Sequence, residues 1–402
     1  MRALYVSHTG MTEPLGHSQV LPYVEGLARA GFRMEIVAFE PQQATEDEIR
    51  AVEERLSGSG IGYYWSRRSS SHAFTVKMAE AARALTRLVT RGLSGRPRIL
   101  HARSYLPSAV AHVAAAVSPG TRLLFDVRGL LGEEYVDAGH WSAESYRYKL
   151  LKRFERRLFA RADGVVVLTE RHRRHLRDET RLLDPETPIE VIPTCVDVLR
   201  FSATAEARAR WRRELGAEDR FVLVYAGTLG AWYREEEMVS LYAALRRRRP
   251  SCFALYTHSP TDRFDAALAA ARVPREEVVV RRVAPGDMPA ALSAADAAVS
   301  FITPCFSKLG SSPTKTAEYL AMGLPTVLNR GIGDGNQLID EVPAVIDAGG
   351  LGPEEIERAA ELLSAADVDG LRESARRAAV ERFSIDDVGI PRYRRLYERL
   401  VA

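Results

Sequence analysis

One local plan occurs twice in this chain, and it restricts the fold more than any other feature. Residues 3–7 (Ala-Leu-Tyr-Val-Ser) form a short apolar run that leads into a loop holding Gly10. A helical pattern at about 17–30 then stops at Gly31, and a second apolar run fills 34–39. Residues 221–226 (Phe-Val-Leu-Val-Tyr-Ala) repeat the opening, with Gly227 and Gly230 in the turn, a helical stretch at 234–248 and a strand at 252–257. Strands that are apolar along their whole length, instead of alternating, are covered on both faces, as in parallel sheets flanked by helices. Further strands are expected at 61–65, 98–102, 122–127, 164–168 and 189–192, then at 278–283, 297–302, 325–328 and 343–347. Helical patterns at 73–93, 107–117, 143–162 and 170–178 separate the first set. The spacing predicts an α/β protein of two Rossmann-like, doubly wound domains, and a length of 402 residues suits about two domains. The boundary is expected in the polar, Arg- and Ala-rich stretch at 193–220. The divisions are drawn at 1–200, 201–383 and a last helix at 384–402.

Ligands of such sheets bind outside the carboxyl ends of the strands, so the chemistry is sought in the loops there. The most informative stretch is 311–325, Ser-Ser-Pro-Thr-Lys-Thr-Ala-Glu-Tyr-Leu-Ala-Met-Gly-Leu-Pro. It reads as a helix capped by Ser312, with Pro313 in the first position, Gly323 just past the end and Pro325 preventing continuation. A helix start offers unpaired N–H groups and a positive dipole end, both suited to phosphate. Lys315 is misplaced there on an empty helix and well placed beside an anion. Glu318 shares a face with Thr314 and Lys315; next to phosphates its useful partners are hydroxyls, such as those of a ribose. The alternative is a structural helix whose Lys and Glu form a surface pair.

Other strand-end loops carry His8 and Gly10, then His101 and Arg103, then Asp126 and Arg128 with Glu133 and Glu134 beyond. The first loop lacks GxGxxG, which disfavours a nicotinamide or flavin dinucleotide, and leaves Gly10 as a point of close backbone approach. Arg128 is a fork for phosphate or carboxylate, and Asp126 can orient a hydroxyl or face positive charge developing on a sugar. The alternative is that these two residues pair mainly with each other or with neighbouring loops. His101 is as well explained by a core position as by a catalytic one.

A net charge of +3 implies no dedicated nucleic-acid binder, and Arg246–Arg249 reads as a solvated helix end before Pro250. Cys195, Cys252 and Cys305 are far apart, which argues against disulfides and zinc and fits a reducing cytosol. The apolar run after Arg2 is too short for a signal peptide, and Ser108–Val117 is too short to span a membrane. The basic amphipathic helix at 143–162 suits either an anionic membrane surface or ordinary packing. No HExxH, calcium loop or Asp-x-Asp pair appears, so no metal cofactor is expected. A diphosphate would be offset by the helix dipole, Lys315, Lys308 and Arg128.

These segments together resemble the family 4 glycosyltransferases of the GT-B fold, over nearly the whole chain. Ala162–Glu170 is similar to the strand before the end of that family's N-terminal domain, and Ile189–Asp197 to the segment leading out of it. Tyr225-Ala226-Gly227-Thr228-Leu229 is similar to the opening of the donor domain, and Pro313–Pro325 to the helix bearing the second Glu of the E-x7-E motif, here Glu318. The first Glu of that motif falls at Gly310, the customary Arg is Thr228, and the mid-domain histidine is Asp126. The resemblance implies two domains facing a cleft, with the last helix crossing back to the first domain. It implies transfer of a sugar from a nucleotide diphosphate sugar to a hydroxyl acceptor, with retention, in polysaccharide, surface-glycan or glycoconjugate assembly. Gly10, Gly227, Thr228, Lys308, Ser312, Thr314, Lys315 and Glu318 are the expected donor contacts, with Asp126, Arg128 and His101 at the reacting sugar. The implied acceptor is a glycan, a lipid-linked group or a small molecule, and the implied location is the cytoplasm or the inner membrane face. The departures motivate alternatives: a non-catalytic nucleotide- or glycan-binding relative, or a sugar-nucleotide epimerase or hydrolase.

Overall fold

The computed structural model describes residues 1–68 and 97–402, together with Val76, Ala79, Glu80, Arg83, Thr86 and Arg87. The helical pattern expected at 73–93 falls largely outside them. The chain forms two compact units, Met1–Pro193 with Ile385–Ala402, and Thr194–Ser384. Residues 194–200 therefore group with the second unit.

The first unit holds a seven-stranded parallel sheet in the order β3-β2-β1-β4-β5-β6-β7. Its strands are β1 (Arg2–Ser7), β2 (Arg33–Pro41), β3 (Gly62–Arg68), β4 (Ile99–Arg103), β5 (Arg122–Asp126), β6 (Gly164–Val167) and β7 (Ile189–Val191). The second unit has six parallel strands in the order β10-β9-β8-β11-β12-β13. These are β8 (Phe221–Ala226), β9 (Ser251–Tyr256), β10 (Val278–Arg281), β11 (Ala297–Ser300), β12 (Thr326–Leu328) and β13 (Val345–Asp347). Strand order reverses between β1 and β4 in one sheet and between β8 and β11 in the other, which is where ligands of doubly wound sheets bind. Register places Ser7 beside Arg103 and Arg103 beside Asp126, so three polar residues share one sheet end in the first unit.

Burial on both faces explains the apolar strands. In the second unit Val222, Val224, Ala254 and Ala298 enter one core, and Leu223, Tyr225, Phe253 and Val299 enter the other. The terminal helix Ile390–Val401 belongs to the first unit, where Tyr393 and Tyr397 are among its most buried side chains. The stretch expected to hold the domain boundary contains a helix, Ala205–Leu215, capped by Thr204. From it Arg208 and Arg212 both grip Asp296, which also accepts the Val222 N–H. A charged helix at Glu46–Gly58 was likewise unexpected, although a capping box of Thr45 and Glu48 marks its start. Among the described residues no helix is long and apolar enough to cross a membrane.

Candidate functional site

In the second unit the helix Thr314–Ala321 is clamped to the end of β8. The Ala226 N–H donates to the Tyr319 hydroxyl at 2.7 Å, and that hydroxyl donates to the Ala226 carbonyl at 3.3 Å. This contact sets Lys315 against the Gly227 turn. The Lys315 Nζ donates to the Tyr225 hydroxyl at 2.8 Å and lies 4.2 Å from the Tyr225 ring and 3.9 Å from the Tyr233 ring. The Tyr225 hydroxyl in turn donates to the carbonyl of Thr228, at 2.5 Å. Aromatic faces hold a cation without neutralising it. Among the described residues no carboxylate lies within ion-pair distance of this amine. Desolvation lowers its pKa from 10.5 to about 7, against the pull of Glu318.

Glu318, one turn on, is desolvated in its turn, and its pKa rises from 4.5 to about 7 despite Lys315 and Arg200. An amine and a carboxylate, both desolvated, thus share one helix face. This is no surface pair, since Lys315 is buried. Lys308 is also buried, with its Nζ 3.7 Å from the centre of the Trp232 ring. Asn329 fixes the segment after β11 by bonding both the N–H and the carbonyl of Ile302 at 2.9 Å.

The helix start differs from expectation. Pro313 itself occupies the cap position, Thr314 is the first helical residue, and no side chain caps the N-terminus. The Ser312 hydroxyl is engaged elsewhere, accepting the Thr194 N–H at 3.1 Å. The first-turn N–H groups are thereby left without a hydroxyl cap, which suits an external anion better than the expected Ser312 cap does. The far end follows the sequence: the Gly323 N–H returns to the Leu320 carbonyl and that of Leu324 to Tyr319.

Gly227 sits at φ +144°, and a Cβ there would lie 2.9 Å from Lys315 Nζ and 3.1 Å from its Cε. Gly227→Ala is expected to destabilise the second unit by about 1–3 kcal/mol, through backbone strain and displacement of the lysine. Chemical denaturation measures this, and an unchanged midpoint would show that the turn adapts.

In the first unit, Asp126 and His101 lie wholly inside the structure. The Asp126 carboxylate receives the Tyr393 hydroxyl at 3.0 Å, His101 Nε2 at 3.4 Å and Arg128 Nη1 at 3.2 Å, while Arg103 Nη1 stands 3.8 Å away. The Tyr397 hydroxyl meets His101 Nδ1 at 2.8 Å. We assign the His101 proton to Nε2, so that Tyr397 donates to the ring and the ring donates to Asp126. Burial lowers the His101 pKa, outweighing the pull of Asp126, so the ring is neutral. Burial alone would raise the Asp126 carboxyl, but Arg128, His101 and Arg103 together hold it well below the usual range. Both side chains are thus tied to the terminal helix, and the Asp126–Arg128 pair that the sequence left open is formed.

The Gly10 backbone approaches protein here: its N–H donates to Glu13 at 2.6 Å, and a Cβ would lie 2.6 Å from the Glu40 carboxylate. Glu133 accepts Lys152 at 2.8 Å and Tyr148 at 3.1 Å, and His8 meets Glu80 at 3.3 Å. The aromatic box of Tyr225 and Tyr233 around Lys315, the Trp232 ring beside Lys308, and the tyrosines of the last helix escaped sequence reasoning. The i, i+4 spacing of Tyr393 and Tyr397 was the available signal for the latter. Among the described residues no group of three His, Cys, Asp or Glu is placed to hold a metal ion.

The architecture recurs in solved structures. A glycosyltransferase from Rickettsia africae aligns with a TM-score of 0.73 at 14% identity, over 100% of this chain and 98% of the other. Sucrose-phosphate synthase from Thermosynechococcus elongatus aligns at 0.74 and 14%, over 99% and 98%. Anabaena HepE in complex with UDP and glucose aligns at 0.71 and 14%, over 100% and 99%. No curated protein matches the chain in sequence. Residues 16–195 match the family model of the glycosyl transferase 4-like domain. The chain thus has the GT-B fold, and its residues 16–195 are similar to the glycosyl transferase 4-like domain.

Proposed function

We propose that this protein transfers a sugar from a nucleotide diphosphate sugar to a hydroxyl acceptor, with the donor held on the second unit. One observation carries the reading: a buried lysine amine, boxed by aromatic rings, at the start of an uncapped helix with Glu318 one turn on. Lys315, the helix N-terminus and Thr314 take the diphosphate, Gly227 leaves room for the lysine, and Glu318 takes the ribose hydroxyls. Lys308 and the Thr228 turn border the same strand ends. The leaving diphosphate is stabilised by these groups in place of a metal. Transfer proceeds with retention, the diphosphate helping to take the acceptor proton, and serves polysaccharide or surface-glycan assembly. HepE was captured with UDP and glucose, so UDP-glucose is the first donor to test.

The full chain is titrated with nucleoside diphosphates and their sugars, and product from donor plus acceptor pools is followed by NMR, which also reads the anomeric outcome. No binding of any nucleoside diphosphate would sink the proposal. Glu318→Gln is expected to weaken binding of the free nucleoside about tenfold at pH 8, where the native carboxylate is ionised, through loss of a charge-assisted hydrogen bond. An unchanged nucleoside affinity would remove Glu318 from the ribose.

A further inference from the structure

We infer that the carboxyl ends of β4 and β5 in the first unit form a subsite for a phosphoryl group carried by the acceptor. That the phosphoryl group belongs to an acceptor rests on the proposed glycosyl transfer; the anion site itself rests on the geometry of these strand ends. Arg103 ends β4, Asp126 ends β5 beside it, and Arg128 follows by two residues. Two guanidinium groups thus share one carboxylate, with His101 and the neighbouring tyrosines neutral. One positive charge is left over in a region where Asp126 is fully buried and Arg103 is 7% exposed. A buried charge without a counter-ion is costly, so the arrangement calls for an anion.

Arg103 supplies the second observation. Its Nη1 is buried with no hydrogen-bond partner, and the Asp126 oxygen at 3.8 Å is too far to serve. Neither arginine has another carboxylate within ion-pair distance among the described residues. Glu133 is occupied by Lys152, and Glu134 stands against Gly129. The helix Tyr105–Ala116 begins immediately after Arg103. Its cap residue, Ser104, is held at φ +71° and makes no side-chain cap bond, so the positive end of that helix opens beside the same residues. The two side chains keep 9% and 14% of their surface exposed, which leaves a way in. A tetrahedral phosphoryl group can meet two guanidinium forks and helix N–H groups at once, whereas a planar carboxylate is satisfied by a single fork.

The test uses inorganic phosphate as probe and the full-length Lys315→Met chain, in which the proposed donor site is disabled. Calorimetry is expected to show phosphate binding, and adding Arg103→Met is expected to weaken it at least about tenfold. No binding at millimolar phosphate, or equal binding with and without Arg103, overturns the subsite. A loss of UDP affinity in Arg103→Met as large as the loss for phosphate also overturns it, by assigning the arginine to the donor. Should the variant not fold, wild-type crystals grown with tungstate decide. An anomalous peak between Arg103 and Arg128 supports the subsite, and a peak at Lys315 alone rejects it. A chain that binds phosphate here but transfers no sugar keeps the subsite and loses the glycosyltransferase reading; transfer without phosphate binding does the reverse.

Discussion

Replacing Lys315 by Met is expected to raise the melting temperature of the ligand-free protein and to erase its response to nucleoside diphosphates. Methionine fills the volume between Tyr225 and Tyr233 and makes sulfur–aromatic contacts, without a charge to desolvate. Removing a buried ionisable group that lacks a counter-ion is expected to gain about 1–2 kcal/mol, or about 3–6 °C for a unit of this size. Nucleoside diphosphate affinity is expected to fall about 100-fold, the size of a lost charge-assisted contact to phosphate.

The pH dependence of the same site has a definite sign. Between pH 7 and 10.5 the unfolded chain protonates Lys315 more than the folded chain does, so this residue makes stability rise with pH in that window. Glu318 acts in the opposite direction: its contribution is complete below pH 4.5 and is lost as pH rises through about 7. The pair therefore costs most stability near neutrality. Diphosphate binding draws a proton onto Lys315, so its affinity should decline as pH rises from 7 to 9, and the decline should vanish in Lys315→Met. Differential scanning fluorimetry and calorimetry across pH read both effects. A lower melting temperature in the variant, or a retained diphosphate response, would contradict the assignment of this lysine.

The layout of both sheets could be read from the chain because parallel strands covered on both faces leave continuous apolar runs, and Phe221–Ala226 is buried throughout. Helices with few apolar residues were harder. Ala205–Leu215 buries only Leu215 fully and holds its place through arginines, so its sequence carries no apolar helical stripe. At the site, the Lys315–Glu318 spacing was visible because it is local to one helix. The aromatic box was not, since Tyr225, Tyr233 and Lys315 come from separate elements and meet only through packing. Ser312 failed as a cap for a similar reason: Thr194, far away in sequence, takes its hydroxyl. The buried hydrogen bonds of His101 and Asp126 could not be read from their strand ends because their partners, Tyr397 and Tyr393, lie at the opposite end of the chain.

That distant pairing predicts the largest loss of stability from a single substitution in the first unit. Asp126→Ala would leave the Arg128 guanidinium, the Tyr393 hydroxyl and the His101 N–H without their shared acceptor, and would remove the charge nearest Arg103, all in a buried region. Removing one partner of a buried charge network costs about 3–5 kcal/mol, a large share of the whole stability of a domain. Tyr393→Phe removes one hydrogen bond and keeps the ring packed against Tyr23, so about 1 kcal/mol is expected. Arg103→Met should cost little, or even stabilise the ligand-free chain, because it removes the surplus charge. Acid should weaken the same network through His101: its folded pKa is lowered, so the unfolded state binds the proton first and stability falls as pH drops below about 6.5. Hydrogen exchange would register the Asp126→Ala loss as early opening of Ile390–Val401 together with β4 and β5, leaving the second unit protected. If that helix stays protected in the variant, Asp126 is free of the structural task assigned to it, and a direct role at the reacting sugar becomes the better explanation for a carboxylate at that strand end.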